Sequence, residues 1–198
     1  MPIELSLTAT SYLPGQLLTD SKEKIVLAGR SNVGKSTLLN ALSGKKLAKT
    51  SSQPGKTQSV NYYLVEGQNW YLVDLPGYGY AKASHALRNQ WSGLLEAFFR
   101  DVSGLVAVCV LLDARLPPQD KDLQMINYVQ ERDFALLGIL TKADKCTQRE
   151  LQARIAVWEG ILPQPPLVTS AKSKKGLGTL ISTLNARVEA ARANKPGL

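Results

Sequence analysis

The sequence predicts an α/β fold: a mostly parallel six-stranded sheet with one antiparallel edge strand and helices on both faces. Short apolar runs alternate along the chain with segments whose apolar residues recur at helical spacing. The run Leu105–Asp113 is apolar almost throughout, which indicates a strand buried on both faces. Two further runs, 59–67 and 69–75, flank a tight connection around Gly67 and therefore predict a hairpin.

The predicted elements follow one another without an internal repeat or a long linker. The predicted strands are Lys24–Gly29, 59–67, 69–75, Leu105–Asp113, 134–141 and 166–170. The predicted helices are Lys35–Ser43, 87–99, 119–132, 147–160 and 177–188. Because 198 residues suit one domain, we expect a single domain over residues 1–198, with a core over about 17–188, a short N-terminal lead and a frayed C-terminal tail.

The composition limits the class of protein. A net charge of +8 favours a polyanionic partner, nucleic acid before membrane. No apolar run approaches the roughly 20 residues of a membrane span, and the N-terminus lacks the pattern of a secretory signal. One His and two Cys argue against a Cys/His zinc site. We therefore expect a cytoplasmic protein with no membrane partner, and nothing in the sequence demands more than a monomer.

The segment GRSNVGKS, residues 29–36, matches the phosphate-binding pattern G-x-x-x-x-G-K-[ST] between a predicted strand and a predicted helix. Small residues let backbone N–H groups turn toward phosphate oxygens, and the helix N-terminus adds the positive end of its dipole. Lys35 would reach the β and γ phosphates, and the Ser36 hydroxyl would bind Mg²⁺. The residues predicted to bind nucleotide here are Gly29, Arg30, Ser31, Asn32, Val33, Gly34, Lys35, Ser36 and Thr37.

The segment VDLPG, residues 73–77, lies at the end of the second strand of the predicted hairpin. In open α/β sheets ligands bind beyond the carboxyl ends of the strands, so this segment should meet the phosphate loop. Asp74 would hold Mg²⁺ through a water molecule, and the Gly77 N–H would sense a γ-phosphate. Leu75 and Pro76 complete this part of the predicted nucleotide site.

Two motifs at later strand ends predict guanine recognition. In TKAD, residues 141–144, the Asp144 carboxylate would accept hydrogen bonds from N1–H and the 2-amino group of guanine, a donor pair that adenine lacks. In SAK, residues 170–172, a backbone N–H would meet guanine O6. These motifs favour GTP over ATP, and the predicted contacts are Thr141, Lys142, Ala143, Asp144, Ser170, Ala171 and Lys172.

A polar loop, residues 49–59, joins the first predicted helix to the hairpin. A Thr in such a loop can give its hydroxyl to Mg²⁺ and its N–H to the γ-phosphate, and both contacts vanish when that phosphate leaves. Thr57 is best placed, just before the strand. Thr50 is the alternative.

Together the motifs resemble Ras-like P-loop GTPases. The segments GRSNVGKSTLLNAL, PGKTQSVNYY, DLPGYGYAK and LTKADK resemble more specifically the EngB (YihA/YsxC) family, of the TrmE–Era–EngA–YihA–septin-like group. The resemblance covers nearly the whole chain. It implies binding of GTP or GDP with Mg²⁺, GTP hydrolysis, and a role in late assembly of the large ribosomal subunit. It also implies nucleotide contacts at Gly55, Lys56 and Thr57, and Mg²⁺ ligands at Ser36 and Thr57.

Two positions depart from the general GTPase pattern. Thr141 stands where Asn is usual, and its single hydroxyl should tie the base loop to the phosphate loop less well, which predicts weaker binding and easy exchange. Tyr78 stands where many GTPases have a water-orienting Gln, which predicts slow turnover. We assign catalytic roles to Lys35, Thr57 and Gly77.

The sequence leaves two hypotheses for what replaces the water-orienting Gln in catalysis. One hypothesis is a ribosomal partner that orders both loops, and another is K⁺ bound through Asn32.

Two alternative functions are also open. One is a nucleotide-dependent RNA-binding module without significant catalysis, and the other is a GTPase with a role in cell division or septation.

Two basic clusters are candidate surfaces for ribosomal RNA or proteins, although each could be an ordinary solvated face. The stretch 45–57 contains Lys45, Lys46, Lys49 and Lys56 and no acid. The stretch 172–195 contains Lys172, Lys174, Lys175, Arg187, Arg192 and Lys195 against one acid. The first is the better RNA candidate because it adjoins the predicted nucleotide-dependent loop.

Overall fold

The computed structural model describes residues 2–48, 59–78 and 85–194, with the backbone alone for residues 85–92. The strands in these ranges are β1 (Leu5–Ser11), β2 (Lys24–Gly29), β3 (Val60–Val65), β4 (Trp70–Asp74), β5 (Leu105–Asp113), β6 (Leu136–Thr141) and β7 (Leu167–Val168). The α-helices are α1 (Lys35–Ser43), α2 (His85–Asp101), α3 (Asp120–Gln130), α4 (Gln148–Glu159) and α5 (Leu177–Ala193). The strands form a sheet in the order β1-β3-β4-β2-β5-β6-β7. The predicted α/β class is confirmed.

The sheet is parallel from β4 through β2, β5 and β6 to β7. The predicted hairpin is present, because β3 pairs antiparallel with β4. The strand count was wrong, since the described residues contain a seventh strand. β1 pairs antiparallel with β3 on its outer side, so β3 is not an edge strand.

Residues 5–11, expected as a lead before the core, therefore belong to the sheet. The sequence signal for β1 is weak because its register shifts between Leu7 and Ala9. An irregularity of this kind interrupts the alternation of inward and outward side chains. Leu5 is buried on one side of the shift and Ser11 on the other, while Leu7 is 52% exposed.

Helices cover both faces of the sheet, as predicted. On one face, apolar residues of α2, α3 and α4 pack with Val110 and Leu112 of β5. On the other face, apolar residues of α1 and α5 pack with Cys109 and Leu111 of the same strand. β5 is therefore buried on both sides, which explains its nearly continuous apolar run.

Local signals fix several helix ends. α1 begins after Gly34 and ends before Gly44, and both glycines have a left-handed φ, 114° and 67°. α4 begins with a capping box between Thr147 and Glu150. None of the helices in the described ranges has the length and apolar character needed to cross a bilayer.

Candidate functional site

The phosphate-loop pattern lies between β2 and α1, as predicted. Asn32 and Gly34 both adopt left-handed backbone, with φ of 64° and 114°. Alternation of left- and right-handed residues points backbone N–H groups into a concave turn that suits anions. Among the described residues, no acceptor pairs with the backbone N–H groups of Asn32, Gly34, Lys35, Ser36 and Thr37. The turn therefore presents donors at the positive end of a helix.

A buried ammonium and a buried carboxylate lie beside this turn. Lys35 is 8% exposed and donates from Nζ to the Gly29 carbonyl at 3.3 Å. Burial lowers its pKa, and the charge of Asp74 opposes the shift. Asp74 is 2% exposed, and burial raises its pKa to about 6 against the opposing charge of Lys35.

Asp74 also has an oxygen that no other described residue contacts by a hydrogen bond. Its Oδ1 is buried and forms no hydrogen bond within the described part of the chain. A buried oxygen of this kind suits an ordered water or a cation, because leaving it unmatched is unfavourable. Ser36 directly follows Lys35, on which the charge of Asp74 acts. The Ser36 hydroxyl and the Asp74 carboxylate are hard oxygen donors of the kind that fit Mg²⁺.

The VDLPG segment lies against the phosphate loop. A Cβ added at Gly77 would lie 3.2 Å from the Ser31 Cα and backbone N, so a larger residue would require the phosphate loop to shift by a few tenths of an ångström. The Ser31 N–H donates to the Tyr78 carbonyl at 3.0 Å, and Arg30 and Tyr78 form a parallel bridge. The two predicted phosphate motifs are therefore adjacent.

The TKAD segment is tied to the phosphate loop by two side chains. The Thr141 hydroxyl lies 2.7 Å from the Val33 carbonyl and 3.1 Å from that of Leu112. The Lys142 ammonium donates to the Asn32 carbonyl at 2.6 Å. Thr141 therefore does tie this loop to the phosphate loop, and Lys142 adds a second link. The weaker nucleotide binding expected of Thr in place of Asn stays a prediction.

The SAK segment meets TKAD at the same edge. The Ser170 hydroxyl donates to Asp144 Oδ1 at 2.6 Å, and the Ala143 N–H donates to the Thr169 carbonyl at 3.2 Å. The hydrogen bond from Ser170 lowers the pKa of Asp144, whose side chain is exposed. Asp144 is therefore an ionised acceptor that is held in place and open to a ligand.

Comparisons with known proteins show which family the chain resembles. A family model described as 50S ribosome-binding GTPase matches residues 24–142. A probable GTP-binding protein EngB of Desulfovibrio desulfuricans is 52% identical over 181 residues, which cover 91% of this chain and 90% of that protein. The same-named protein of Thermotoga maritima is 38% identical, with 92% and 95% covered.

The chain belongs to the EngB family of GTP-binding proteins.

Solved structures share the EngB fold. A crystal structure of a probable GTP-binding protein EngB matches with a TM-score of 0.69 at 20% identity, over 84% of this chain and 99% of that one. Aquifex aeolicus Era bound to GDP and AlF₄⁻ matches with a TM-score of 0.70 at 20% identity, over 85% of this chain and 57% of that one. At these identities the likeness concerns the fold alone.

Sequence reasoning missed two carboxylates at this EngB site. Asp113, at the end of β5, binds Lys142 at 2.8 Å and Arg115 at 2.8 Å. Burial opposes its ionisation, but hydrogen bonds from Arg115 and Lys142 outweigh burial and lower the pKa to about 2. Its position at a strand end was the available signal. Asp122, in the first turn of α3, binds Arg30 and Tyr78, and nothing in its local sequence distinguishes it from an ordinary acid at a helix N-terminus.

Several predicted EngB site residues lie outside the described ranges. These are Gly55, Lys56, Thr57 and the alternative Thr50. Asn32, the hypothetical K⁺ ligand, is exposed at the phosphate loop. Binding of K⁺ has no support in the family findings and stays a prediction.

The basic clusters differ in how their side chains are used. Lys45 and Lys46 are exposed, and Lys45 lies 3.6 Å from the exposed Glu4. Arg192 instead binds Glu23 at 2.8 Å and the Gln68 carbonyl at 2.9 Å. The exposed remainder of the second cluster is Lys172, Lys174 and Lys175. Lys49, Lys56 and Lys195 lie outside the described ranges.

Proposed function

We propose that this EngB-family chain binds GTP and GDP with Mg²⁺, hydrolyses GTP slowly, and uses its nucleotide state to control association with the large ribosomal subunit or its precursor. The observation that carries the nucleotide part is the meeting of four strand-end motifs at one edge of the sheet. The proposed contacts are Gly29 to Thr37, Asp74 to Gly77, Thr141 to Asp144, Ser170 to Lys172, and Gly55 to Thr57.

Each part of the site has a chemical task in this proposal. The free N–H groups at the start of α1 and the Lys35 ammonium neutralise phosphate charge, which grows in the transition state. The Gly77 N–H detects the γ-phosphate, and Asp144 selects guanine. Mg²⁺, when bound, supplies further neutralisation of phosphate charge, with Ser36, Thr57 and, through water, Asp74 as the proposed ligands.

The slow rate follows from Tyr78. Its phenol donates to Asp122 Oδ1 at 3.1 Å, away from any role in orienting water. Loss of a water-orienting side chain leaves positioning and charge stabilisation as the sources of catalysis. K⁺ through Asn32 is a proposed supplement, and equal turnover in KCl and NaCl at matched ionic strength would rule it out.

The ribosomal part rests on the family description and on charge. The matching family is described as ribosome-binding, and the chain carries a net charge of +8. RNA phosphates attract such a surface without sequence readout. We place the protein in the cytoplasm as a monomer that does not bind membranes.

One experiment in two steps tests the proposal. The first step tests the nucleotide site. It compares GDP and ATP as competitors for binding to the wild-type protein, and it measures turnover of GTP by wild type and by Lys35→Ala. We expect only GDP to compete, and turnover to depend on Lys35. Competition by ATP would instead indicate an ATPase, and absent turnover would favour a nucleotide-dependent RNA-binding module.

Co-sedimentation with ribosomal subunits then compares a non-hydrolysable GTP analogue with GDP at two salt concentrations. We expect binding to the large subunit with the analogue, weakened by salt. Equal binding with both nucleotides would contradict nucleotide gating. No binding to either subunit would leave a role in cell division as the alternative.

A further inference from the structure

Tyr78, Asp122 and Arg30 form a polar cluster around the buried Asp122 carboxylate that joins the phosphate loop, the residue after the VDLPG segment and helix α3. Arg30 Nε lies 3.2 and 3.0 Å from the two Asp122 carboxylate oxygens. The Tyr78 phenol donates to Asp122 Oδ1 at 3.1 Å. The Asp122 side chain is 2% exposed, and that of Arg30 is 22% exposed.

A buried carboxylate with several charged or hydroxyl donors holds those donors firmly, because losing one leaves a poorly solvated charge. The Tyr78 phenol remains a donor at physiological pH. Burial, followed by the charge of Asp122, raises the pKa of Tyr78 well above its ordinary value.

Tyr78 is also fixed through its backbone. Its carbonyl accepts a hydrogen bond from the Ser31 N–H at 3.0 Å. The residue after Gly77 is therefore attached at two points, by its carbonyl to the phosphate loop and by its phenol to α3. Gly77 lies directly before this doubly attached residue, in contact with Ser31.

We propose that Asp122 and Tyr78 are positioning residues that hold the Gly77 peptide against the phosphate loop and thereby favour GTP over GDP. The inference rests on the proposed function, in which the Gly77 N–H detects the γ-phosphate. A peptide that is already ordered loses less conformational freedom when the γ-phosphate binds. GDP has no γ-phosphate and gains nothing from this order. Tyr78 thus serves as an anchor at the position where other GTPases orient water.

The test measures dissociation constants of GDP and of a non-hydrolysable GTP analogue, with Mg²⁺, for wild type, Tyr78→Phe and Asp122→Asn. Tyr78→Phe removes only the phenol oxygen, so it keeps the test valid if Asp122→Asn folds poorly. We expect each variant to bind the analogue about 10-fold more weakly and GDP within about 2-fold of wild type. The double variant should lose little more than the weaker-binding single variant, because both changes break one interaction.

Matched controls come from the same helix. Tyr128→Phe removes a phenol oxygen that has no hydrogen bond within the described residues, and Asp120→Asn neutralises an exposed acid in the same first turn. Neither should change the ratio of the two dissociation constants. Unfolding temperatures without nucleotide separate a general loss of stability from the change in ratio.

The outcomes separate this inference from the proposed function. Wild type that binds neither guanine nucleotide would overturn both. Wild type that binds both, with variants whose ratio is unchanged or shifted toward the analogue, would overturn the positioning role alone. Additive losses in the double variant would also contradict it.

Discussion

Asp113 is a buried carboxylate that serves two cations. It accepts hydrogen bonds from Arg115 and from Lys142, and Lys142 in turn reaches the Asn32 carbonyl. Lys142 of the TKAD segment is therefore anchored at both the phosphate loop and the end of β5. A carboxylate outside the recognised motifs holds one of their members in place.

The pH dependence of the free energy of unfolding should reflect the ionisation of the Asp113 carboxylate. The pKa of Asp113 in the folded protein, about 2, lies below its ordinary 3.8, so the ionised form stabilises the fold above about pH 4. This contribution is lost as the pH falls from about 4 toward 2. We expect Asp113→Asn to lower the free energy of unfolding at pH 7 by roughly 1–2 kcal/mol and to lose less on acidification.

Urea denaturation at pH 7, 4 and 3 measures this change. Asp101→Asn is the control, because Asp101 is exposed and bonds the neighbouring Arg100. A variant at position 113 that loses as much stability in acid as wild type would contradict the prediction.

The residues that could be predicted from sequence are those with local signatures. Lys35 and Asp144 belong to short motifs, and the structure places both motifs at the same edge of the sheet, as predicted. Asp122 could not be found this way, because its role depends on α3 packing beside residues 44 and 92 positions away in the chain. Such a contact exists only once the sheet has placed three elements together.

At the scale of elements, the ends of helices and strands were likewise predictable where the local sequence carries a clear signal. Three elements were predicted with their observed ends, because the hydrophobic pattern of each is uninterrupted. These are Lys24–Gly29, Lys35–Ser43 and Leu105–Asp113. β1 was missed because its register shift breaks the alternation. β7 is only two residues long, whereas the sequence predicted a strand over residues 166–170.

The segment between β7 and α5 depends on Gly176. This residue has a φ of 72°, and a Cβ there would lie 2.0 Å from the Val168 carbonyl oxygen. The neighbouring backbone supports the SAK segment, because the Ser170 N–H donates to the Lys175 carbonyl. We expect Gly176→Ala to destabilise the fold by about 2–4 kcal/mol and to weaken guanine-nucleotide binding.

Gly178→Ala is the matched control for this prediction. Gly178 lies in α5 with open space around its Cβ position, so alanine should leave stability unchanged or raise it by up to about 1 kcal/mol. Thermal unfolding and GDP titration of both variants give the comparison. Equal behaviour of the two alanine variants would contradict the assigned strain.

At the scale of the whole molecule, the distribution of charge matters more than its sum. Arg192 serves internal structure through Glu23 and backbone carbonyls, whereas Lys45 and Lys46 are exposed. The pair of Lys45 with Glu4 joins two side chains that are 65% and 69% exposed, so it should contribute little. Only part of the +8 charge is therefore free to meet a polyanion.

Removal of two positive charges at different places tests this distinction. We expect Lys45→Gln with Lys46→Gln to weaken binding to the large ribosomal subunit and to reduce the slope of log affinity against log salt by about 2. Lys121→Gln with Arg149→Gln removes the same charge from exposed positions on α3 and α4. Equal effects of both pairs, measured by co-sedimentation, would indicate a response to net charge alone.

The register shift in β1 has a consequence for the protein at high concentration. Within the ranges that the structure describes, β1 and β7 form the two edges of the sheet. Long, flat edges recruit strands from other molecules. β7 offers two residues, and β1 is interrupted between Leu7 and Ala9. We therefore expect the irregularity that obscured β1 in the sequence also to limit edge-to-edge pairing between molecules.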